Sequence, residues 1–379
     1  MREVVIVEAV RTPIGKHRGS LSYVHPQELA AHTLKELIKK SGVSPSLVED
    51  VIFGVCSQVG KQGFDLARVA ALIADFPIEV PGVVVERQCG SGQQAIHFAA
   101  QAILSGDMDV VIAGGVEIMS YAMPLAIADH SEEYFKKYEV LHQGVSAERV
   151  SDKWGLSRTQ LDEFSLESHR RAIKAQKEGR FEREITPIGV TLPDGTTTII
   201  SADEGPRENT SIEKLASLKP VFQEGGKIHA GNSSQISDGA AAILIMSREK
   251  AEELGLKPRA RIIARSVIGS DPTLMLTGPI EATRKALDKS GLTMEDMDLY
   301  EVNEAFAPVP LVWAQELGAD MNKLNVNGGA IALGHPIACT GVRIMTTLLH
   351  ELERSGGRYG LMSICEGHGQ ANATIIERL

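Results

Sequence analysis

Runs rich in apolar residues alternate with amphipathic stretches through much of the chain. Residues 1–9 and 48–55 are typical of buried strands, and residues 110–115 form a continuous small and apolar run of the same kind. Residues 26–40 carry leucine and alanine at helical spacing and end at Ser41-Gly42, a common helix end. Strands that alternate with helices predict a mostly parallel sheet covered by helices on both faces.

The C-terminal third repeats the order of the N-terminal part. Residues 34–42 resemble residues 283–291, with an offset of 249 residues (291 − 42). Ser105-Gly106 and Ser355-Gly356 both end a predicted helix before a predicted strand, with an offset of 250 residues (356 − 106). The alternative is that Ser-Gly simply ends many helices, but two helix ends with nearly one offset favour a duplicated α/β half.

The segment between the halves differs in character. Residues 117–231 are polar, with long charged helices predicted at 157–179 and a hairpin at Leu-Pro-Asp-Gly 192–195. A structureless loop of this length is uncommon, so we predict an inserted subdomain. The predicted organisation is a first half at 1–116, an inserted loop domain at 117–231, the end of the first half at 232–256, and a second half at 257–379.

Composition narrows the class of protein. The 379 residues are 43% hydrophobic and only 4% aromatic, which suits large, close-packed α/β layers. The net charge of −10 argues against nucleic acid as a partner. The four cysteines lack metal-ligand spacing, so we expect no metal site and a reducing compartment. No run is long enough to span a membrane and no secretory signal is evident, which predicts a cytoplasmic protein.

Cys89 is the first candidate for chemistry. It follows the apolar run 81–85 and precedes an amphipathic helix predicted at 96–104, so it lies at a strand-to-helix turn. Gly90 and Gly92 allow a tight turn, and the following helix N-terminus is expected to lower the thiol pKa. A buried packing role is the alternative, because most cysteines have one. The turn favours a nucleophile.

Three more residues join this candidate site. Glycine before and proline after His335 fix its backbone, as a positioned general base requires. Cys365 ends the apolar run 360–364, where its thiol could carry a proton, although core packing is equally compatible. Asn303 ends the predicted strand 299–302 and could donate to an oxyanion. If the halves are duplicated, the turns of Cys89 and His335 correspond and face one site.

The glycine motifs of the sequence argue against nucleotide binding. The glycines around Ser91 lack the third glycine of a dinucleotide fingerprint, and no Gly-Lys-Ser/Thr phosphate loop occurs in the sequence.

The motifs together resemble those of the thiolase family in order and spacing, over essentially the whole chain. They are Cys-Gly-Ser-Gly at 89–92, Asn-Glu-Ala-Phe at 303–306, Asn-Gly-Gly at 327–329, Gly-His-Pro at 334–336 and Cys-Glu-Gly at 365–367. The resemblance implies a duplicated five-layer α-β-α-β-α fold with an inserted loop domain, and a homodimer or homotetramer.

The resemblance also implies a two-step acyl transfer of the fatty-acid β-oxidation type. Cys89, activated by His335, would attack a 3-ketoacyl-CoA, and Cys365 would protonate the departing acetyl-CoA. Coenzyme A, deprotonated by Cys365, would then collect the acyl group. Asn303 (through a water) and His335 would form one oxyanion hole, and the backbone amides of Cys89 and Gly367 the other.

The implied ligands are acyl-CoA and coenzyme A as co-substrate, with no tightly bound cofactor. The loop domain would hold coenzyme A, and the residues that match contact positions of the family are His142, Arg207, Ser234, Met275 and Phe306. Lys214 and Lys219 lie near Arg207 in sequence and could extend a basic patch, although lysines on a solvated helix face are as common.

Several positions depart from the family pattern. Ala338-Cys339-Thr340 replaces glycine and small residues after the Gly-His-Pro motif, and His368 replaces a glycine beside an oxyanion amide. Gln143 and Leu276 replace a usual methionine and glycine. These changes favour a degradative thiolase of broader chain length over a dedicated acetoacetyl-CoA synthase.

Two alternatives remain. One is an acetyl-CoA acetyltransferase that forms acetoacetyl-CoA. The other, from a different class, is a catalytically silent scaffold that binds coenzyme A, which His368 and the altered 338–340 turn would favour.

Overall fold

The computed structural model describes residues 2–123, 125 and 129–379. In chain order the strands are β1 (Val4–Arg11), β2 (Gly15–Lys16), β3 (Asp50–Gly54), β4 (Gly82–Val85), β5 (Val110–Ile118), β6 (Ile188–Thr191), β7 (Thr197–Ile200), β8 (Ser237–Ser247), β9 (Ala260–Gly269), β10 (Leu299–Val302), β11 (Tyr359–Glu366) and β12 (Gln370–Arg378). The predicted strand at 1–9 is β1, apart from Met1, which lies outside the described residues.

The helices, again in chain order, are α1 (Pro26–Ser41), α2 (Leu66–Ile73), α3 (Ser91–Ser105), α4 (Met119–Ala122), α5 (Glu132–Lys137), α6 (Gln143–Lys153), α7 (Arg158–Lys177), α8 (Ile212–Ala216), α9 (Arg248–Glu253), α10 (Gly278–Ser290), α11 (Pro308–Leu317), α12 (Ala330–Leu333) and α13 (Thr340–Ser355). Short 3₁₀ helices span Ser20–Tyr23, Pro45–Leu47, Gly60–Gln62 and Ile337–Cys339. Across the described ranges, no helix is both long and apolar enough to cross a membrane.

One large sheet runs in the order β10-β11-β12-β9-β1-β8-β5-β3-β4, with β2 paired to β8. The order β1-β8-β5-β3 of the first half recurs as β9-β12-β11-β10 in the second half. The directions also match, because β3/β5 and β10/β11 are parallel while β5/β8 and β11/β12 are antiparallel. This shared topology confirms the duplication that the sequence predicted.

The prediction of a mostly parallel sheet is wrong. Both β8 and β12 run antiparallel to the strands on either side of them, and β1 pairs antiparallel with β9. The turn between β11 and β12 spans only residues 367–369, which is too short for the crossover that a parallel pair needs. The chain therefore folds back on itself at that point.

The two halves of the large sheet form two of five stacked layers, and helices form the layer between them and the two layers outside them. Helices α1 and α2 pack on the outer face of the first half, and α10 packs on the outer face of the second. Helices α3 and α13 pack against each other and against strands of both halves. The buried side chains between these layers are mainly alanine, valine, leucine and isoleucine. This arrangement is the predicted α-β-α-β-α fold.

The segment between β5 and β8 contains α4–α8 and an antiparallel β6/β7 hairpin at the predicted position. Pro124 and residues 126–128 of this segment lie outside the described residues. A buried ion cluster joins the segment to the sheet, because the fully buried guanidinium of Arg11 donates to Glu184 at 2.6 Å and to Asp203 at 2.7 Å. The domain boundaries themselves stay a prediction.

Glycine makes the contact between α3 and α13 possible. A Cβ atom on Gly341 of α13 would lie 2.3 Å from the backbone nitrogen of Gln93 in α3. On the other side, a Cβ atom on Gly92 of α3 would lie 2.9 Å from Cγ2 of Val342 in α13, and 2.5 Å from the carbonyl oxygen of Ala338 just before α13. All three distances are shorter than any real carbon contact, so a side chain at either position would force the two helices apart.

We expect Gly341→Ala to destabilise the protein by about 1–3 kcal/mol, the usual cost of overpacking a filled interior. Gly269→Ala is the matched control, since a Cβ atom at that exposed position meets no atom within 4 Å. The measurement is urea or thermal unfolding of the wild type and both variants. Equal midpoints for Gly341→Ala and the wild type would contradict the close contact.

Candidate active site

Cys89 lies in a tight turn between β4 and α3. Gln88 has a φ of 48°, in the left-handed region that residues other than glycine rarely adopt. The Ser91 hydroxyl holds the turn, because it accepts from the Arg87 backbone N–H at 2.9 Å and donates to the Gln88 carbonyl at 2.6 Å. The strained residue thus directly precedes the thiol, as is common at functional sites.

The other predicted motifs meet this turn. A Cβ atom on Gly90 would lie 1.8 Å from Oε1 of Glu366, so the end of β11 touches the Cys89 turn directly. A Cβ atom on Gly367 would lie 3.1 Å from Oε1 of Gln88. Together with the contact of Gly92 and Ala338, these approaches bring the Cys89, His335 and Cys365 segments into one site.

His335 is oriented through both ring nitrogens. Its Nδ1 lies 2.6 Å from the hydroxyl oxygen of Thr340, and that hydroxyl donates to the Pro336 carbonyl at 2.9 Å. Because that hydroxyl donates to the Pro336 carbonyl, we assign a proton to Nδ1 of His335, which donates a hydrogen bond to Thr340. Nε2 is then the free base, and the Asn303 side-chain nitrogen lies 3.4 Å from it. The predicted pair of Asn303 and His335 is therefore assembled.

Burial controls the charge of these groups. It lowers the pKa of His335 to about 3, and the nearby Arg343 guanidinium adds to the effect. Burial also raises the pKa of the Cys365 thiol to about 12. The pKa of Cys89 lies well above its usual value, chiefly because of burial and secondly because of Cys365. The expectation that the helix N-terminus lowers the pKa of Cys89 is wrong, since burial of the thiol outweighs the helix dipole.

A buried carboxylate fixes the loop that leads to His335. Glu304 accepts from the Ser168 hydroxyl at 2.7 Å, from the Asn325 side chain at 2.9 Å and from the Ile331 backbone N–H at 3.1 Å. Ser168 belongs to α7, so the inserted segment, the end of β10 and the 325–331 loop share one anchor. This explains why Glu304 accompanies Asn303 in the motif.

The sequence assigned no positioning role to three residues at this site, Thr340, Arg343 and Glu366. Thr340 is the first residue of α13, and Ser91 is the first residue of α3, with an offset of 249 residues (340 − 91). The repeat was therefore the signal that could have marked it. The same offset makes Ala338 the counterpart of Cys89, so the two turns correspond but His335 lies three residues before the equivalent position.

Glu366 is the counterpart of Glu117 by the same offset (366 − 117). Glu117 accepts from the backbone N–H groups of Cys56 and Ser57 and from the Gln62 amide. Both carboxyl oxygens of Glu366 are buried without a hydrogen-bond partner among the described residues. Burial raises its pKa well above the usual value, which favours the neutral acid beside the Cys89 turn.

The residues predicted to contact coenzyme A lie on the inserted segment and the adjoining loops. His142 stacks on Phe222 with ring centroids 5.0 Å apart, and Phe222 meets Phe306 edge to face at 6.0 Å. Met275 is buried in the same apolar cluster as Phe306 and Cys365. Three of the five predicted residues, His142, Met275 and Phe306, are thus joined with Phe222 into one continuous wall.

Ser234 and Arg207 lie elsewhere around the site. They line a shared cleft of about 510 Å³ together with Lys16 and His17, and Ser234 also donates its backbone N–H to Ala305 beside Phe306. Lys214 lines a neighbouring cleft that also contains Arg207, whereas Lys219 lines neither cleft.

The chain matches the models of one protein family along nearly its whole length. Residues 4–249 match the model of the thiolase N-terminal domain, and residues 256–378 match that of the thiolase C-terminal domain. The chain is 48% identical to the steroid 3-ketoacyl-CoA thiolase FadA6 of Mycobacterium tuberculosis, over 100% of this chain and 95% of that protein. It is 45% identical to an acetyl-CoA acetyltransferase of Chromobacterium violaceum, over 99% of this chain and 100% of that protein.

A solved structure is similar over the same extent. The acetyl-CoA acetyltransferase of Bacillus anthracis superposes with a TM-score of 0.93 and 43% identity, over 100% of this chain and 99% of that chain. The fold and these relatives identify an acyltransferase. The chain belongs to the thiolase family.

We expect Thr340→Val to lower kcat/KM about tenfold or more, because it removes a hydrogen bond to a group that becomes charged, worth about 1.5–3 kcal/mol. The variant keeps the side-chain shape but leaves Nδ1 of His335 unpaired. Thr340→Ser keeps the hydroxyl and should retain most activity. Steady-state kinetics of both variants is the measurement, and equal losses in the two would contradict a hydrogen-bonding role.

The burial of Cys89 leads to a second prediction, which concerns the protein without substrate. Because the pKa of Cys89 is raised, the rate of its alkylation by iodoacetamide should rise about tenfold per pH unit from pH 6 to about 9, without a plateau. Mass spectrometry of the labelled peptide measures the rate, and Cys89→Ala identifies the peptide. A plateau below pH 7 would mean that a stable thiolate exists, contrary to this expectation.

Proposed function

We propose that the protein catalyses the CoA-dependent cleavage of 3-ketoacyl-CoA to acetyl-CoA and a shortened acyl-CoA through an acyl-cysteine intermediate. The observation that carries this proposal is the state of His335. Its Nε2 is left free as a base by the hydrogen bond from Nδ1 to Thr340, and two thiols share its site. The names of the similar proteins support the substrate class.

In the first step, Nε2 of His335 takes the proton of Cys89 and the thiolate attacks the 3-keto carbon. The bond between the α and β carbons then breaks, and its electron pair moves onto the α carbon as the enolate of acetyl-CoA. Cys365 donates its proton to that carbon, and acetyl-CoA leaves. The acyl group remains on Cys89 as a thioester.

In the second step, the thiolate of Cys365 takes the proton of incoming coenzyme A. The coenzyme A thiolate attacks the thioester carbonyl, and Cys89 leaves as a thiolate that recovers its proton from His335. We propose that Asn303 (through a water) and His335 donate hydrogen bonds to the enolate oxygen. The backbone amides of Cys89 and Gly367 are proposed to donate to the oxygen of the tetrahedral intermediate.

Burial sets the resting state of this cycle. It raises the pKa of the Cys89 thiol and lowers the pKa of His335 to about 3, so the proton stays on sulfur and the imidazole stays neutral before substrate binds. The ionised pair is then formed only when substrate is in place. In a dry site the fixed donors act on the developing charge more strongly than they would in water.

Coenzyme A is proposed to lie along the wall of His142, Met275 and Phe306, with Ser234 and Arg207 further out. Phe222 supports this arrangement by joining His142 to Phe306. Coenzyme A is a co-substrate in this proposal, and no tightly bound cofactor takes part. A cytoplasmic location is also proposed, because all four cysteines are free.

The proposal includes a homodimer or homotetramer. Strand β4 ends the large sheet, and within the described residues it pairs only with β3. Apolar side chains are exposed around it, with Phe64 at 99%, Ile78 at 77% and Val83 at 42% of their accessible areas. An open strand edge with exposed apolar neighbours favours pairing with a second copy of the chain.

Acetoacetyl-CoA formation is the second candidate function. The same groups run the reaction in either direction, and two of the similar proteins are named acetyl-CoA acetyltransferases. A silent scaffold is disfavoured, because a binding protein has no need for a base held in one tautomer beside a buried thiol.

The test is CoA-dependent cleavage of 3-ketoacyl-CoAs from four carbons to about sixteen. We expect activity that rises with chain length and falls at least about 10⁴-fold in Cys89→Ala, as in other enzymes that lose their nucleophile. Cys339→Ala, a change at another buried cysteine, is the matched control and should stay active. Activity confined to acetoacetyl-CoA would favour the acetyltransferase, and no cleavage at any length would overturn the proposal.

A further inference from the structure

His368 is held in an unusual conformation beside the site. It lies in the 367–369 turn that joins β11 to β12, directly after Gly367, and its φ is 61°. Side chains rarely adopt this left-handed backbone, and a glycine would fit the position without strain. A histidine persists in such a conformation only where its surroundings fix it, so its contacts are informative.

Those contacts come from the inserted segment. The hydroxyl of Tyr134, in α5, lies 3.1 Å from Nδ1 of His368. The ring of His130 meets the His368 ring edge to face with centroids 4.9 Å apart. Burial lowers the pKa of His368, with His130 as a smaller cause, which fits a neutral ring that accepts the Tyr134 proton. Two segments far apart in sequence are therefore joined over the turn.

The turn is enclosed on its other sides. Gly367 faces Gln88, the residue before Cys89, and the Gly369 carbonyl accepts from the Ser270 backbone N–H at 2.6 Å. The segment that begins at Ser270 leads to Met275, which is buried in one apolar cluster with Cys365. The His368 turn therefore lies between the Cys89 turn and the Met275 segment.

The segment on which Met275 lies is also tied to the residues that follow α5. Thr273 donates its hydroxyl to the Glu139 carbonyl at 2.9 Å and accepts at its own carbonyl from the Ser146 hydroxyl at 2.7 Å. The stretch that carries Tyr134 is thus fixed at one end by these bonds and at the other by His368. It spans the edge of the site.

We propose that Tyr134 and His368 form a hydrogen-bonded cap that limits how far an acyl chain extends beyond Cys89. The cap is a specificity-determining element and takes no part in bond breaking. It rests on the proposed function, since it concerns the acyl group of that same reaction. The side chain of His368 fills space that a glycine would leave open, and Tyr134 keeps it there.

The test is the chain-length profile of kcat/KM for His368→Gly, Tyr134→Phe and Tyr138→Phe. His368→Gly should raise the ratio of long-chain to short-chain activity about tenfold or more, a usual effect of changing the size of an apolar pocket. Tyr134→Phe should shift the ratio in the same direction but less, because the ring stays and only the hydrogen bond is lost. Tyr138, which is half exposed beside Tyr134, is the matched control and should leave the profile unchanged.

Glycine suits a φ of 61°, so His368→Gly should fold, and its unfolding midpoint checks this. A wild-type enzyme that cleaves 3-ketoacyl-CoAs, with an unchanged profile in His368→Gly, would overturn the cap alone. An equal loss at all chain lengths would also overturn it, since that would indicate a structural role. A wild type that cleaves no 3-ketoacyl-CoA would instead overturn the proposed function, and the cap would fall with it.

Discussion

Helices α3 and α13 approach so closely in the middle layer that glycine is needed on both sides, with Gly92 facing Val342 and Gly341 facing Gln93. Hydrogen bonds from Gln93 and His97 to Thr374 fasten α3 to the second half of the sheet as well. The Cys89 turn lies just before α3, and the His335 loop lies just before α13. The contact between the two helices therefore sets the distance between the Cys89 turn and the His335 loop, and the rest of the site is arranged around it.

The same close packing determines the electrostatics. Burial disfavours every isolated charge, so the pKa shifts of Cys89, His335 and Cys365 all favour the neutral forms. Neutral groups cost less to bury than an ion pair would. Under the proposed mechanism, charge appears only in the presence of substrate, where Asn303 and the backbone amides can meet it. The burial that comes from close packing thus also determines the charge of the thiols and the imidazole.

The sequence was sufficient for the parts of the site that depend on local structure. The strand, turn and helix around Cys89 and the end of β10 at Asn303 follow from spacing and glycine positions. The bond from His335 to Thr340 depends on the helical turn after Pro336, which no single motif specifies. The direction of the Cys89 pKa shift could not be predicted, because it depends on how much of the thiol the second half of the chain covers. The antiparallel strands were missed for a similar reason, since a helix-strand alternation does not reveal how β8 and β12 enter the sheet.

Strand β8 lies between β1 and β5 in space, yet it follows both in the chain, after the whole inserted segment. During synthesis from the N-terminus, the sheet of the first half therefore keeps an open gap until Ser247 has emerged. The apolar edges of β1 and β5 stay unpaired for that time, and pairing across so long a separation is slow. Folding of this half is thus a late event that waits for the inserted segment, and the nascent chain must be kept from aggregating until β8 closes the sheet.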